Sequence, residues 1–173
     1  MNESEFRDWM ATHVEEALRS AGVSSGQTVL DFGCGAGAYS LAAARLVGAS
    51  GRVYALDTKK RVLEALARRA TCEGLGQLHT VLADGGAGAV ALPGASVDVA
   101  LLYDVLQLID DQRALFRELG RLLRPGGVLS VFPMHVGPKR LKELVEAVGG
   151  FSFRDQQGLL FNLVAKSPPK GDA

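Results

Sequence analysis

The chain has little of what most often announces a chemistry: its 173 residues include 2 cysteines, 3 histidines and 1 tryptophan, with aromatics at 6%. Two cysteines make no disulfide framework, and Cys34 in a glycine-rich stretch and Cys72 at the end of a helical pattern read as reduced thiols. No cluster of histidine, cysteine and acids has ligand spacing, so no metal is expected. Charge of one sign is also missing. Nineteen basic residues balance 19 acidic ones, which removes the net positive field that favours nucleic acid. No apolar run reaches the length of a membrane span, and Asn2 to Asp8 has neither a basic leader nor an apolar core. These absences predict a cytoplasmic protein without membrane or nucleic-acid partners. A serine elbow of the hydrolase type is lacking too, because Ser40 has no flanking glycines.

Glycine and apolar residues are abundant instead. Apolar residues make up 47%, charged residues 22%, and there are 21 glycines, the composition of one ordinary globular domain. Phe6, Trp9, Met10, His13, Val14, Ala17 and Leu18 recur at helical spacing and predict one amphipathic helix over 4–20, ahead of the core. From Gln27, strand and helix patterns alternate: strand 27–32, helix 38–47, strand 52–57, helix 59–72, then strands 78–83 and 97–103. Leu115, Leu119 and Leu122 mark a helix over 111–123, which Pro125-Gly126-Gly127 ends before a strand over 128–132. Gly137-Pro138 opens a further helix carrying Leu141, Leu144, Val145 and Val148 on one stripe. Such alternation calls for a parallel sheet covered on both faces. The last two strand patterns, 151–154 and 159–165, are separated only by Asp155-Gln156-Gln157-Gly158. A parallel pair needs a crossover of about a dozen residues, so these two strands are expected to be antiparallel neighbours. Residues 167–173 read as a disordered tail.

The densest signal is Val29-Leu30-Asp31-Phe32-Gly33-Cys34-Gly35-Ala36-Gly37-Ala38, an apolar strand, an acid, alternate glycines and then a helical run. Glycines permit a tight turn and remove the Cβ between backbone and ligand, while the helix N-terminus presents unpaired N–H groups. That is a nucleotide-binding strand-turn-helix. The turn alone leaves the nucleotide open, since Gly33, Gly35 and Ala38 also fit a dinucleotide fingerprint with Asp57 at the ribose-binding distance. A nicotinamide-dependent oxidoreductase is opposed by the final hairpin, because the second half of that fold repeats with all strands parallel.

Taken with Asp31 and Gly37, the turn reads Asp-x-Gly-x-Gly-x-Gly, which resembles motif I of the class I S-adenosylmethionine-dependent methyltransferases. The resemblance extends from Gln27 to about Lys166. Leu92-Pro93 through Gln107 resembles the fourth-strand region of small-molecule methyltransferases of the ubiquinone-biosynthesis type, and Arg121-Leu122-Leu123-Arg124-Pro125-Gly126-Gly127 resembles their Arg-x-Leu-x-Pro-Gly-Gly signature. It implies a Rossmann-like α/β three-layer sandwich: a mostly parallel seven-stranded sheet whose last strand is antiparallel. It also implies S-adenosylmethionine as cofactor, with S-adenosylhomocysteine as product. By the family's pattern, Asp57 accepts from both ribose hydroxyls with Thr58 beside it, Asp84 with Gly85 receives the adenine amino group, and Gly33, Gly35 and Gly37 line the turn. Asp31 orients the methionine amino group. Tyr39 and Tyr103 are candidates to place an aromatic ring beside the sulfonium, or equally to pack.

Where many relatives carry a histidine pair after the fourth strand, this chain has Gln107 and Leu108. His135, just past the fifth strand, is a weak candidate for a general base, while His13 reads as a packed histidine. The missing Asn-Pro-Pro-Tyr or Asp-Pro-Pro-Tyr motif argues against nucleic-acid bases and glutamine as acceptors, leaving a small molecule. Residues 1–23 form a docking or lid segment and 24–166 the cofactor-binding domain, with Phe6, Trp9 and Met10 as candidates for a lid or a homodimer contact. The alternative of another class is a catalytically silent protein that binds S-adenosylmethionine or S-adenosylhomocysteine on the same fold.

Overall fold

The computed structural model describes residues 2–83 and 91–167. Asp84 and Gly85, and residues 168–173 of the expected tail, lie outside the described residues.

The N-terminal helical pattern is two helices. In α1 (Glu3–Thr12), Asn2 and Glu5 form a reciprocal capping box. α2 (Val14–Ala21) follows after a break at His13, whose backbone (φ −120°, ψ 37°) leaves the helical region. The one-helix expectation fails there for a local reason. Thr12 Oγ1 bonds the carbonyls of Asp8 and Trp9, and His13 Nδ1 lies 3.0 Å from the same Trp9 oxygen. Side chains thus compete for carbonyls that a continuing helix would use. His13 sits on the surface, stacked on Trp9, and is not a core histidine.

The sheet contains β1 (Thr28–Phe32), β2 (Arg52–Asp57), β3 (Leu78–Leu82), β4 (Val97–Tyr103), β5 (Leu123–Phe132), β6 (Phe151–Gln157) and β7 (Leu160–Ala165). Their spatial order is β3-β2-β1-β4-β5-β7-β6, with β7 antiparallel to both neighbours and the rest parallel. This is the expected seven-stranded Rossmann-like sheet with its antiparallel last strand. Helices α3 (Ala38–Val47) and α4 (Lys60–Cys72) join α1 and α2 on one face; α5 (Gln112–Leu122) and α6 (Pro138–Val148) cover the other. The amphipathic stripes decide this: Leu41 and Val47 of α3 and Leu66 of α4 pack on Val29, Val53 and Val99, whereas Leu115, Phe116 and Leu119 of α5 pack on Ala100, Leu102 and Leu129. Each such large side chain contributes about 1.5–3 kcal/mol on burial.

Two boundaries differ from expectation. β5 begins at Leu123, not after the glycines, because Pro125-Gly126-Gly127 bulges out of the strand: Leu123 pairs with Val97 and Val128 with Val99, so four residues intervene on one side and one on the other. A Cβ on Gly127 would meet the carbonyl oxygens of Arg124 at 2.9 Å and Asp98 at 3.1 Å, which explains the glycine. The final hairpin turns only at Gly158 and Leu159, since β6 runs on to Gln157 through a register shift near Arg154.

Candidate cofactor site

Strand order reverses between β1 and β4, and an open α/β sheet forms its ligand crevice at the carboxyl ends beside such a reversal. Asp31 and the glycine turn stand there. The amides of Gly33 and Cys34 both donate to Leu56 O, at 2.8 and 2.9 Å, which folds the turn back over the end of β2. Gly33 and Gly37 have positive φ, and a Cβ there would strike Val105 at 2.7 Å and Leu66 at 2.3 Å. Gly35 also has positive φ, but its Cβ would meet nothing within 4 Å among the described residues. The outer glycines therefore serve close packing, and the middle one leaves backbone open on the ligand side.

Asp57, the last residue of β2, reaches this opening. Its Oδ2 accepts from Gly35 N at 2.9 Å and its Oδ1 from Lys59 N at 2.9 Å, so the carboxylate is aimed by backbone on both sides. Thr58 follows on the surface. Asp31 is buried below the turn, and Ser40 Oγ donates to its Oδ2 at 2.5 Å. Burial pushes Asp31 up to about 6; the Ser40 hydroxyl opposes the rise, and the nearby Asp57 charge adds to it. The same burial, with Asp31 and Asp57 close by, pushes the Cys34 thiol up to about 12, which makes it an inert packing group. Cys72 is exposed, and both cysteines are free.

Tyr39, in the first turn of α3, and Tyr103, at the end of β4, meet edge to face with centroids 4.9 Å apart at 78°. Burial, then the charges of Asp31 and Asp104, raises Tyr39 to about 12. Tyr103 is buried and its hydroxyl donates to Ser130 Oγ at 2.9 Å. His135 lies away from these tyrosines' hydrogen bonds and toward α1. Its backbone N–H faces the Glu3 carboxylate at 3.2 and 3.3 Å, and its Nδ1 is 3.7 Å from Glu3 Oε2. His79 is exposed on β3 beside Tyr54.

The structure thus brings together Asp31, Gly33, Gly35, Gly37, Tyr39, Asp57 and Tyr103, and sets His135 at a separate contact. Sequence reasoning missed Ser40 as the partner of Asp31; a small hydroxyl in the first turn after a strand-end acid was the available signal. It also missed Asp98, which accepts from Thr28 N at 2.7 Å and pairs with Arg124, tying the family signature to the start of β1. Among the described residues, no group of three or more His, Cys, Asp or Glu is placed to hold a metal, and no helix is long and apolar enough to cross a membrane. A groove of about 610 Å³ lies between α6 and β6–β7, and one of about 790 Å³ lies beside α5 and the start of β5, both lined mainly by apolar groups such as Phe151. They lack the strand-end carboxylates of the glycine turn.

The profile of a methyltransferase domain matches residues 30–131, more than half of the chain. This chain belongs to the methyltransferase-domain family. The class I resemblance drawn from the motifs is thereby borne out. Among the relatives, a demethylmenaquinone methyltransferase of Geobacillus kaustophilus is 30% identical over 114 residues, covering 66% of this chain and 48% of that protein. A nocamycin O-methyltransferase of Saccharothrix syringae is 33% identical over 132 residues, covering 71% and 46%. The chain spans about half the length of the curated relatives it matches. A solved methyltransferase from Aquifex aeolicus shares the fold, with a TM-score of 0.74 at 21% identity over 95% of this chain and 98% of that one.

Proposed function

We propose that this member of the methyltransferase-domain family binds S-adenosylmethionine at the glycine turn and transfers its methyl group to a small molecule. The observation that carries the reading is the Asp57 carboxylate held against the Gly35 amide, at the one open glycine of the turn, beside the strand-order reversal. A carboxylate is acceptor-only, so each Asp57 oxygen keeps lone pairs for the two ribose hydroxyls after its backbone bonds. Asp31 and Ser40 face the methionine end, Tyr39 and Tyr103 supply aromatic surface, and Asp84 with Gly85 is assigned to adenine. S-adenosylmethionine supplies a methyl group already activated on a sulfonium, so the protein's tasks are to hold an acceptor in line and to exclude water. No obligatory base follows from this, and His135, turned to Glu3, is not needed as one.

The relatives, a demethylmenaquinone methyltransferase and a nocamycin O-methyltransferase, favour a quinone or another small organic molecule as the acceptor. Residues 24–166 form the cofactor-binding unit, and α1 within 1–23 is its docked cover. As for a homodimer through Phe6, Trp9 and Met10, the chain's own core takes Phe6 and Met10. The test is production of S-adenosylhomocysteine from S-adenosylmethionine with naphthoquinones lacking a ring methyl group and with small hydroxyl compounds as acceptors. Turnover with either class supports the reading. Tight cofactor binding without turnover on any acceptor is the outcome a silent binding protein would give.

A further inference from the structure

The hydroxyl of Tyr103 enters a line of side chains that crosses the sheet from the buried Ser130 and Asn162 to the exposed Asp155 and Arg154. Tyr103 Oη donates to Ser130 Oγ at 2.9 Å, and Ser130 Oγ donates to Asn162 Oδ1 at 2.7 Å. Asn162 Nδ2 donates to Asp155 Oδ1 at 2.7 Å and to Ser20 O at 3.3 Å. Arg154 Nε closes the line on Asp155 Oδ2 at 2.5 Å, while its guanidinium also donates to the carbonyl of Ser20 at 2.6 Å. The participants come from β4, β5, β7 and β6 in their spatial order, and Ser130 and Asn162 are fully buried.

The direction of these bonds follows from their far end. Asp155 is a carboxylate: desolvation raises it, but hydrogen bonds from Arg154 and Asn162 prevail and hold it below the ordinary range. Ser20 O is likewise acceptor-only. The Asn162 amide must therefore turn its NH₂ toward both, which leaves Oδ1 facing Ser130. Ser130 must then donate to Oδ1, and only a lone pair is left for Tyr103. Tyr103 is consequently an obligate donor, and burial keeps its phenol protonated. A chain of donors running toward a carboxylate polarises each member, leaving the Tyr103 oxygen and ring richer in electrons than a free phenol.

Core packing alone does not call for this. Ser130 and Asn162 are register partners in the middle of β5 and β7, and their strand neighbours Leu129, Val131, Phe161 and Leu163 are buried apolar residues. Replacing both partners of a buried hydrogen bond by apolar groups of the same shape can be nearly neutral or stabilising. The polar line ends at the aromatic pair of the cofactor site, where Tyr103 meets Tyr39 edge to face.

We infer that Ser130 and Asn162 are positioning residues for cation recognition: they fix and polarise Tyr103, which sets the Tyr39 ring toward the positive sulfonium of the methyl donor. This rests on the cofactor reading above. S-adenosylmethionine and S-adenosylhomocysteine differ by one methyl group and one positive charge, so their affinity ratio isolates the effect. Titration calorimetry of wild type, Ser130→Ala and Tyr103→Phe with both compounds is the experiment. The expected result is a fall of about two- to fivefold in the preference for S-adenosylmethionine over S-adenosylhomocysteine, the size of a modest cation–π contribution. A ratio unchanged from wild type overturns the inference, whether both affinities fall together or neither falls. Tyr103→Phe deletes one oxygen and keeps the ring packing, so it decides the matter if Ser130→Ala does not fold. If wild type binds neither compound, the cofactor reading itself is overturned and the inference with it.

Discussion

Asp31 and the glycines show how single residues divide between stability and binding. Burial raises Asp31 from 3.8 to about 6, so the native state holds a proton more readily than the unfolded chain between those values. The neutral form is favoured by folding. This group therefore lends stability at low pH and withdraws it as pH rises from about 4 to 6, by up to roughly 3 kcal/mol. Urea unfolding of wild type and Asp31→Asn across that window should show a decline in wild type that the variant lacks; parallel profiles would contradict the burial argument. Gly35→Ala and Gly37→Ala should separate in the same way. A non-glycine residue at positive φ costs about 1–2 kcal/mol, and both pay that. Gly37→Ala adds a clash 2.3 Å from Leu66 and should lose several kcal/mol, or fail to fold. Gly35→Ala meets no atom of the described residues and should fold while binding the cofactor poorly. At this scale the sequence is legible where backbone geometry demands a residue type, as at Gly33, Gly37 and Asp57. It is silent on Ser40, Ser130 and Asn162, because a hydroxyl or amide acquires its role only from partners 9 to 32 residues away in the chain.

Among the elements, α1 is the one whose docking depends on few contacts. Phe6 lies 5.4 Å from Trp9 and 5.3 Å from Phe132, and it fills the space beside Gly158, where a Cβ would come within 2.4 Å of its ring. Glu3 accepts from the backbone of His135, which is held at φ 62°. Because Gly158 stands at the β6–β7 turn and Phe132 ends β5, α1 covers the ligand end of the sheet on that side. Truncating a buried aromatic costs about 3–5 kcal/mol when the whole domain bears it, but a terminal helix with few anchors can open alone. Phe6→Ala should thus speed amide exchange over residues 3–12 while β1 and β4 keep wild-type protection. Equal protection in α1 and β1 of the variant would show that α1 is not a separate unit. The helical period of this segment was readable, yet the break at His13 was not: it depends on Thr12 and His13 side chains taking carbonyls, which the apolar spacing does not report. The strands of the core were readable to within a residue or two because buried parallel strands are short apolar runs. β5 began ahead of its expected limit because a bulge admits Pro125, Gly126 and Gly127 into the strand, and β6 ran on through Asp155, Gln156 and Gln157 past a register shift at Arg154.

For the molecule as a whole, one short connection settled the topology: too few residues join β6 to β7 for a parallel crossover, and the antiparallel β7 follows. That reading, with the order of Asp31, Asp57 and the Arg-Leu-Leu-Arg-Pro-Gly-Gly segment, separates this fold from the dinucleotide-binding one that the glycine turn alone allows. The acceptor was not legible, since nothing in the strand-and-turn pattern specifies it. The central claim is that the glycine turn and Asp57 form a site for S-adenosylmethionine. Calorimetric titration of wild type and Asp57→Ala with S-adenosylmethionine, S-adenosylhomocysteine and NADH tests it most directly. The account predicts saturable wild-type binding of the first two, none of NADH, and loss of all binding in Asp57→Ala; binding of NADH alone, or undiminished binding by the variant, would contradict it.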